Sequence, residues 1–203
     1  MRATLLAVCA LLFSAVSHSY SIPDIEYSAN WTIQTSQGAF TNKVYNAAKK
    51  ERREMEQGGQ KMVMISRRDK QLVWMLMPQQ GMYMEMRTDE KGVPQMPMAK
   101  QDDPADLDRY EWQQTKVGSE TVNGVATTKY KVKMIDKKKP GNTMDGHYWL
   151  SKDGIMIRLD ATSVDDKNKN HVRIDVTDLK LGKQDPALFE VPANLQKFSM
   201  PGF

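Results

Sequence analysis

Apolar and polar residues alternate in steps of two along most of this chain. In "YSANWTIQ" (27–34), Tyr27, Ala29, Trp31 and Ile33 fall on one side of an extended backbone. "KMVMISR" (61–67) sets Met62 and Met64 against Val63 and Ile65. "QLVWMLM" (71–77) is apolar on both sides, as a strand covered on two faces is. "GMYMEMR" (81–87) opposes Met82, Met84 and Met86 to Tyr83, Glu85 and Arg87. "ETVNGVATTKYKVKM" (120–134) contains Asn123-Gly124, a strong hairpin signal. "GHYWLSKDGIMIRLDATS" (146–163) reads strand, turn at Lys152-Asp153-Gly154, strand. "HVRIDVTDLKL" (171–181) alternates Val172, Ile174 and Val176 with Arg173, Asp175 and Thr177. Turn clusters "RRDK", "PQQG", "DKKKPGN" and "VDDKNKN" separate the runs. The pattern predicts a mainly β domain, an antiparallel sheet or barrel.

Helix is scarce in this pattern. Asp103 followed by Pro104 is a good helix start and predicts a short helix over about 104–111. "NAAKKERREMEQ" (46–57) has the composition of a helix. Its apolar residues do not recur at helical spacing, so it reads as a polar strand or hairpin. Lys91 to Asp103 is the main break between two runs of strands.

The methionines follow the strand period. Ten of the 15 lie between Met55 and Met98. If "PQQG" closes a hairpin with Met77 opposite Met82, then Met75 faces Met84 and Val73 faces Met86. If "RRDK" sets Arg67 opposite Lys70, then Met62 faces Met75 and Met64 faces Val73. One face then carries Met62, Met64, Val73, Met75, Met77, Met82, Met84 and Met86, and Trp74, Leu76 and Tyr83 take the other. Three uses compete for such a face. It can be ordinary core, because Met fills irregular gaps. It can line a hydrophobic cavity, because an unbranched thioether adapts to ligands of varied shape. It can hold Cu(I) or Ag(I), which favour soft sulfur. Rigid β cores prefer Val, Ile and Leu, and no His or Cys accompanies these methionines as a metal partner.

Composition narrows the setting. Arg2, the apolar run Thr4–Phe13 and the small-x-small triplets Ala15-Val16-Ser17 and Ser17-His18-Ser19 form the three regions of a secretory signal. The apolar run is too short to span a bilayer. Residues 1–19 are therefore read as a signal peptide and 20–203 as a single β domain of a soluble periplasmic protein. Cys9, the one cysteine, falls within the signal, so neither a disulfide nor a thiolate site is expected. The formal net charge is +4 with the signs interleaved, which argues against a nucleic-acid partner. His147 and His171 lack a second ligand at close spacing. No HExxH, Gly-rich phosphate loop or GxSxG motif occurs. The expectation is a protein that is not an enzyme, with no catalytic residues, no cofactor and no metal.

Four stretches carry a resemblance: "KMVMISRRDKQLVWMLMPQQGMYMEM", "VNGVATTKYKV", "HYWLSKDGIMIRLD" and "DPALFEVPANLQKFSMP". Together they resemble exported bacterial proteins with the fold of the lipoprotein carriers LolA and LolB. The most specific part is the ending Asp185-Pro186-Ala187-Leu188-Phe189-Glu190-Val191-Pro192, similar to a Phe-x-x-Pro close after the last strand. The resemblance implies an incomplete antiparallel barrel closed at one mouth by helices, with the short helix at 104–111 as lid. It also implies a hydrophobic face that receives acyl chains, those of lipids or of lipoproteins, and is compatible with peripheral membrane association. The expected function is a periplasmic binder of a hydrophobic ligand through the methionine face. The alternatives are an envelope-stress or assembly module acting through protein contacts at a sheet edge, and a periplasmic Cu(I)-binding protein. From the ending, Phe189 is expected to be buried and Leu188 less so.

Overall fold

The computed structural model describes residues 24–36, 38–88, 110–165 and 168–198. Its strands are β1 Tyr27–Thr35, β2 Gly38–Ala47, β3 Lys50–Gln57, β4 Gln60–Arg67, β5 Leu72–Met77 and β6 Met82–Arg87, then β7 Tyr110–Val122, β8 Val125–Asp136, β9 Lys139–Ser151, β10 Met156–Val164, β11 Lys169–Leu181 and β12 Gln196–Lys197. They form one sheet in the order β12-β6-β5-β4-β3-β2-β1-β11-β10-β9-β8-β7. Neighbours are antiparallel except β12, which runs parallel to β6. The sheet is open, with β12 and β7 at its edges, as an incomplete barrel is. Among the described residues there is no α-helix.

Turn chemistry sets the hairpins. Asn123 (φ 50°) and Gly124 (φ 80°) both take left-handed backbone between Val122 and Val125, which a two-residue hairpin requires. Pro78–Gln80 make one 3-10 turn, Gly81 takes φ 68°, and Met77 lands opposite Met82 as expected. Residues 46–57 are the end of β2, a turn and all of β3. The polar-strand reading is correct there, with Glu51, Arg53 and Met55 on one side of β3 and Arg52 and Glu54 on the other.

Two expectations need correction. Tyr110 and Glu111, the last residues of the predicted helix, begin β7 and pair with Asp136 and Ile135; residues 104–109 lie outside the described ones. At Tyr110 and Glu111 pairing with the long strand β8 prevails over continuation of a helix. Arg67 faces Leu72 rather than Lys70, so Met64 meets Met75 and Ser66 meets Val73. The slip is two residues. It preserves parity, and every side chain keeps its predicted face.

The sheet has two buried clusters. One joins Tyr27, Ala29, Trp31, Val44, Ile157 and Val176 with Val122, Trp149 and Ile155. The other lies on the far face of β4 and β5, where Val63, Ile65, Trp74 and Leu76 pack under Phe189 and Leu195. The polypeptide from Asp185 to Phe198 crosses that far face as a strap. Phe189 is 1% exposed and Leu188 is half-buried, in the order expected from the ending.

Candidate functional site

The near face of β3–β6 is a grid of cross-strand rows. In the first row Met77 pairs with Met82, Met55 with Met62, Asn42 with Met55, and Trp31 with Asn42. The rung beyond Val63–Leu76 brings Met62 alongside Met77, so the row runs from Met82 to Trp31. At about 4.8 Å per strand step it is about 24 Å long. The second row is Met84, Met75, Met64, Arg53, Val44, Ala29. The third is Met86, Val73, Ser66, Glu51, Asn46, Tyr27.

All the residues expected on this face from the sequence are brought together on it. Val73 is buried. Met64, Met75, Met77, Met82, Met84 and Met86 are half-buried, and Met62 is exposed at 37%. Trp74 and Leu76 are buried on the opposite side under the strap, with Tyr83 packed partly against them. The methionine zone is absent from both buried clusters, in contrast to Leu76 beside it.

Where the thioethers end, polar side chains begin. Glu51, Arg53 and Asn42 form a belt between the methionines and the aromatic cluster of β1. Arg53 is buried; its Nε donates to Glu51 Oε1 at 2.5 Å and its Nη2 to Oε2 at 3.2 Å. Two residues apart on one strand, the pair shares a face and meets in the bidentate geometry that suits guanidinium and carboxylate. The guanidinium also lies over the Trp31 ring, 5.1 Å from its centroid, a cation–π contact. Asn42 Oδ1 and Trp31 Nε1 are buried without a hydrogen-bond partner among the described residues. Sequence reasoning passed over this belt. Its signal was present in the two-residue phase that puts Asn42, Arg53 and Glu51 level with the methionines.

A separate depression of about 260 Å³ lies where β1 and β11 slip register. Ser28, Ala29, Asn30, Lys43, Asp178 and Lys180 line it. Asp178 takes φ 52° and accepts from Asn30 Nδ2 at 2.7 Å. It is polar and has no methionine in its wall. Among the described residues no three His, Cys, Asp or Glu side chains converge in the manner of a metal site, and His171 is engaged with Asp160 at 2.8 Å.

The family model for a domain of unknown function, DUF4412, matches residues 28–156. No curated protein matches the chain. Solved structures do match. A crystal structure of MucB aligns at TM-score 0.56 with 13% identity, over 88% of this chain and 61% of that one. MucB in complex with MucA(peri) aligns at TM-score 0.51 with 15% identity, over 87% and 57%. An uncharacterised conserved protein from Thermus thermophilus aligns at TM-score 0.53 with 15% identity, over 86% and 90%. The chain thus spans about three-fifths of the MucB chains it matches. Likeness at these identities is likeness of fold, and the mainly β, open antiparallel sheet of an incomplete barrel expected from the sequence is the one observed.

Proposed function

This chain belongs to the DUF4412 family, and we propose that it is a non-catalytic binding module of the cell envelope whose methionine rows take up an acyl chain. The observation that carries the reading is the half-buried state of the methionines. They share one continuous face and stand outside both packed clusters. Large apolar patches on a soluble domain mark binding surfaces, and flexible thioethers remould around chains of different length. An acyl chain needs no catalytic group to be held, so the module acts by sequestering or handing over its ligand. The signal-like pattern of residues 1–19 supports a periplasmic setting. Purification without detergent, followed by mass spectrometry of extracted lipid, tests the reading. A stoichiometric acyl species supports it. Empty protein that also leaves both a fluorescent fatty acid and the corresponding fluorescent alcohol unbound overturns it.

A second reading rests on β7. This strand of 13 residues stands at the sheet edge with β8 as its one neighbour among the described residues, and Val117 is exposed there. An unpaired edge accepts a partner strand, and MucB, similar in fold, has been solved in complex with MucA(peri). A partner bound this way is lost when Val117→Pro blocks the edge, while acyl binding persists.

A further inference from the structure

We infer that the ligand on the methionine rows carries a neutral head group that both donates and accepts a hydrogen bond, a hydroxyl or a carboxamide, and that Trp31 Nε1 and Asn42 Oδ1 receive it. The inference rests on the acyl-chain reading and adds the chemistry of the other end.

Trp31 and Asn42 face each other across β1 and β2. They are 7% and 2% exposed. One presents an indole N–H and the other a carbonyl oxygen, and neither atom has a hydrogen-bond partner among the described residues. Buried polar atoms are nearly always satisfied, and an orphaned donor beside an orphaned acceptor asks for a group that supplies both complements. Water can do this, and so can a hydroxyl or an amide. Position favours the ligand, because these two residues end the row that begins at Met82. Met55, directly opposite Asn42, is an unbranched side chain able to swing aside.

Charge selects against ionised heads. The Arg53 guanidinium beside this place is held along its Nε–Nη2 edge by both oxygens of Glu51, so the belt already holds a balanced pair. A carboxylate head would bring lone pairs against Asn42 Oδ1 and a second negative charge near Glu51. It has no proton to offer the acceptor. An ammonium head would meet Arg53. A hydroxyl accepts from the indole and donates to the amide oxygen without adding charge.

The test uses the full chain with 1-decanol, decanamide and sodium decanoate as competitors for one fluorescent acyl probe at neutral pH. The alcohol and the amide are expected to compete at least tenfold better than the carboxylate. The Trp31 indole N–H resonance, assigned through Trp31→Phe, is expected to shift with decanol. Asn42→Leu is expected to bring the three competitors within twofold of one another, each read against that variant's own affinity for the probe. Equal competition by all three on the parent protein, or an unmoved Trp31 resonance with decanol bound, overturns the inference and leaves the acyl reading standing. Failure of every chain to bind overturns both. Should Asn42→Leu not fold, the parent's selectivity and indole shift decide the matter alone.

Discussion

Arg67 and Phe189, 122 residues apart, are joined by a hydrogen bond of 3.1 Å from Arg67 Nη1 to the Phe189 carbonyl oxygen. Arg67 is 4% exposed. Its Nε and Nη2 donate to Asp69 at 2.9 and 2.8 Å, its Nη1 also reaches Glu190, and its guanidinium lies 5.8 Å from the Trp74 ring centroid. One planar cation therefore ties the β4–β5 turn to the strap that covers Val63, Ile65, Trp74 and Leu76. Phe189→Ala should cost about 3–5 kcal/mol if the site does not collapse. Arg67→Met should cost less, about 1–3 kcal/mol, since chiefly the Phe189 carbonyl loses a buried donor while Asp69 and Glu190 stay in reach of water. The two sites touch, so the double variant should fall short of the sum. Urea denaturation of the four proteins checks this; additive losses would mean that the strap and the turn are independent.

The strap should loosen in acid. The Arg67 guanidinium holds the Asp69 carboxyl below its usual range. Lys197, and then the Trp74 indole N–H, do the same for Glu85. A depressed carboxyl stabilises the fold above its unfolded pKa, about 3.9 for Asp and 4.3 for Glu, and that contribution goes as pH falls through the folded value. Lys197 has the opposite sign. Glu85 raises its pKa, so its share is present at neutral pH and disappears only as pH rises beyond the ordinary lysine range. It is small, because the side chain is half exposed. The denaturation midpoint should be flat from about pH 5 to 9 and fall below about pH 4. Asp69→Asn with Glu85→Gln should flatten the acid limb. An acid limb as steep as the parent's would show that other carboxylates govern it.

Gly146 has a packing reason to lack a side chain. A Cβ there would overlap the Asp160 carbonyl oxygen and the Ala161 Cα. Both contacts are backbone on β10, which cannot step aside without breaking the β9–β10 ladder. A glycine inside a strand often marks such an approach. Gly146→Ala should destabilise by at least the roughly 1–3 kcal/mol of an overpacked core, visible as a lower thermal midpoint. Gly58, with open space around it, is the comparison site: the smaller cost expected of Gly58→Ala comes from its φ of 59°.

Much of this arrangement was legible in a two-residue period. Parity assigned each methionine to its face and Trp74, Leu76 and Tyr83 to the other, and the "PQQG" turn fixed the β5–β6 register to the residue. Parity survives even-numbered slips, which is why the wrong partner for Arg67 did no harm to the face. The slip itself was hidden, because Arg67 is drawn into the sheet by Phe189 and Glu190, far away in sequence. The belt was hidden for a related reason. "NKVYNAAKKERREMEQ" reads as polar surface until β1 lays Trp31 against Asn42, and only then are Arg53 and Asn42 buried and Glu51 half-buried.

Met75 and Leu76 are neighbours that should answer opposite questions. Leu76 is 1% exposed beneath the strap, and Met75 is half-buried between Met64 and Met84 on the other face. Leu76→Ala removes packed methyl groups and leaves a cavity, at a cost of about 2–5 kcal/mol. Met75→Ala trims a side chain that is only partly withdrawn from water. The apolar area at stake is smaller, and at about 25 cal/mol per Å² the loss should stay near 1 kcal/mol. Acyl uptake should divide the other way. Met75→Ala with Met84→Ala should weaken a fluorescent fatty acid at least tenfold, because the middle row loses two adjacent thioethers. Leu76→Ala, measured where it is still folded, should bind nearly as the parent does. Met82→Trp and Met84→Trp provide the converse case. On an open face the indoles occupy the chain's place and binding falls while the fold survives; in a packed core they would cost about 1–3 kcal/mol each. A Met75→Ala, Met84→Ala protein that loses about 3 kcal/mol or more, the scale of a core truncation, and keeps its uptake would turn the methionine face back into ordinary core.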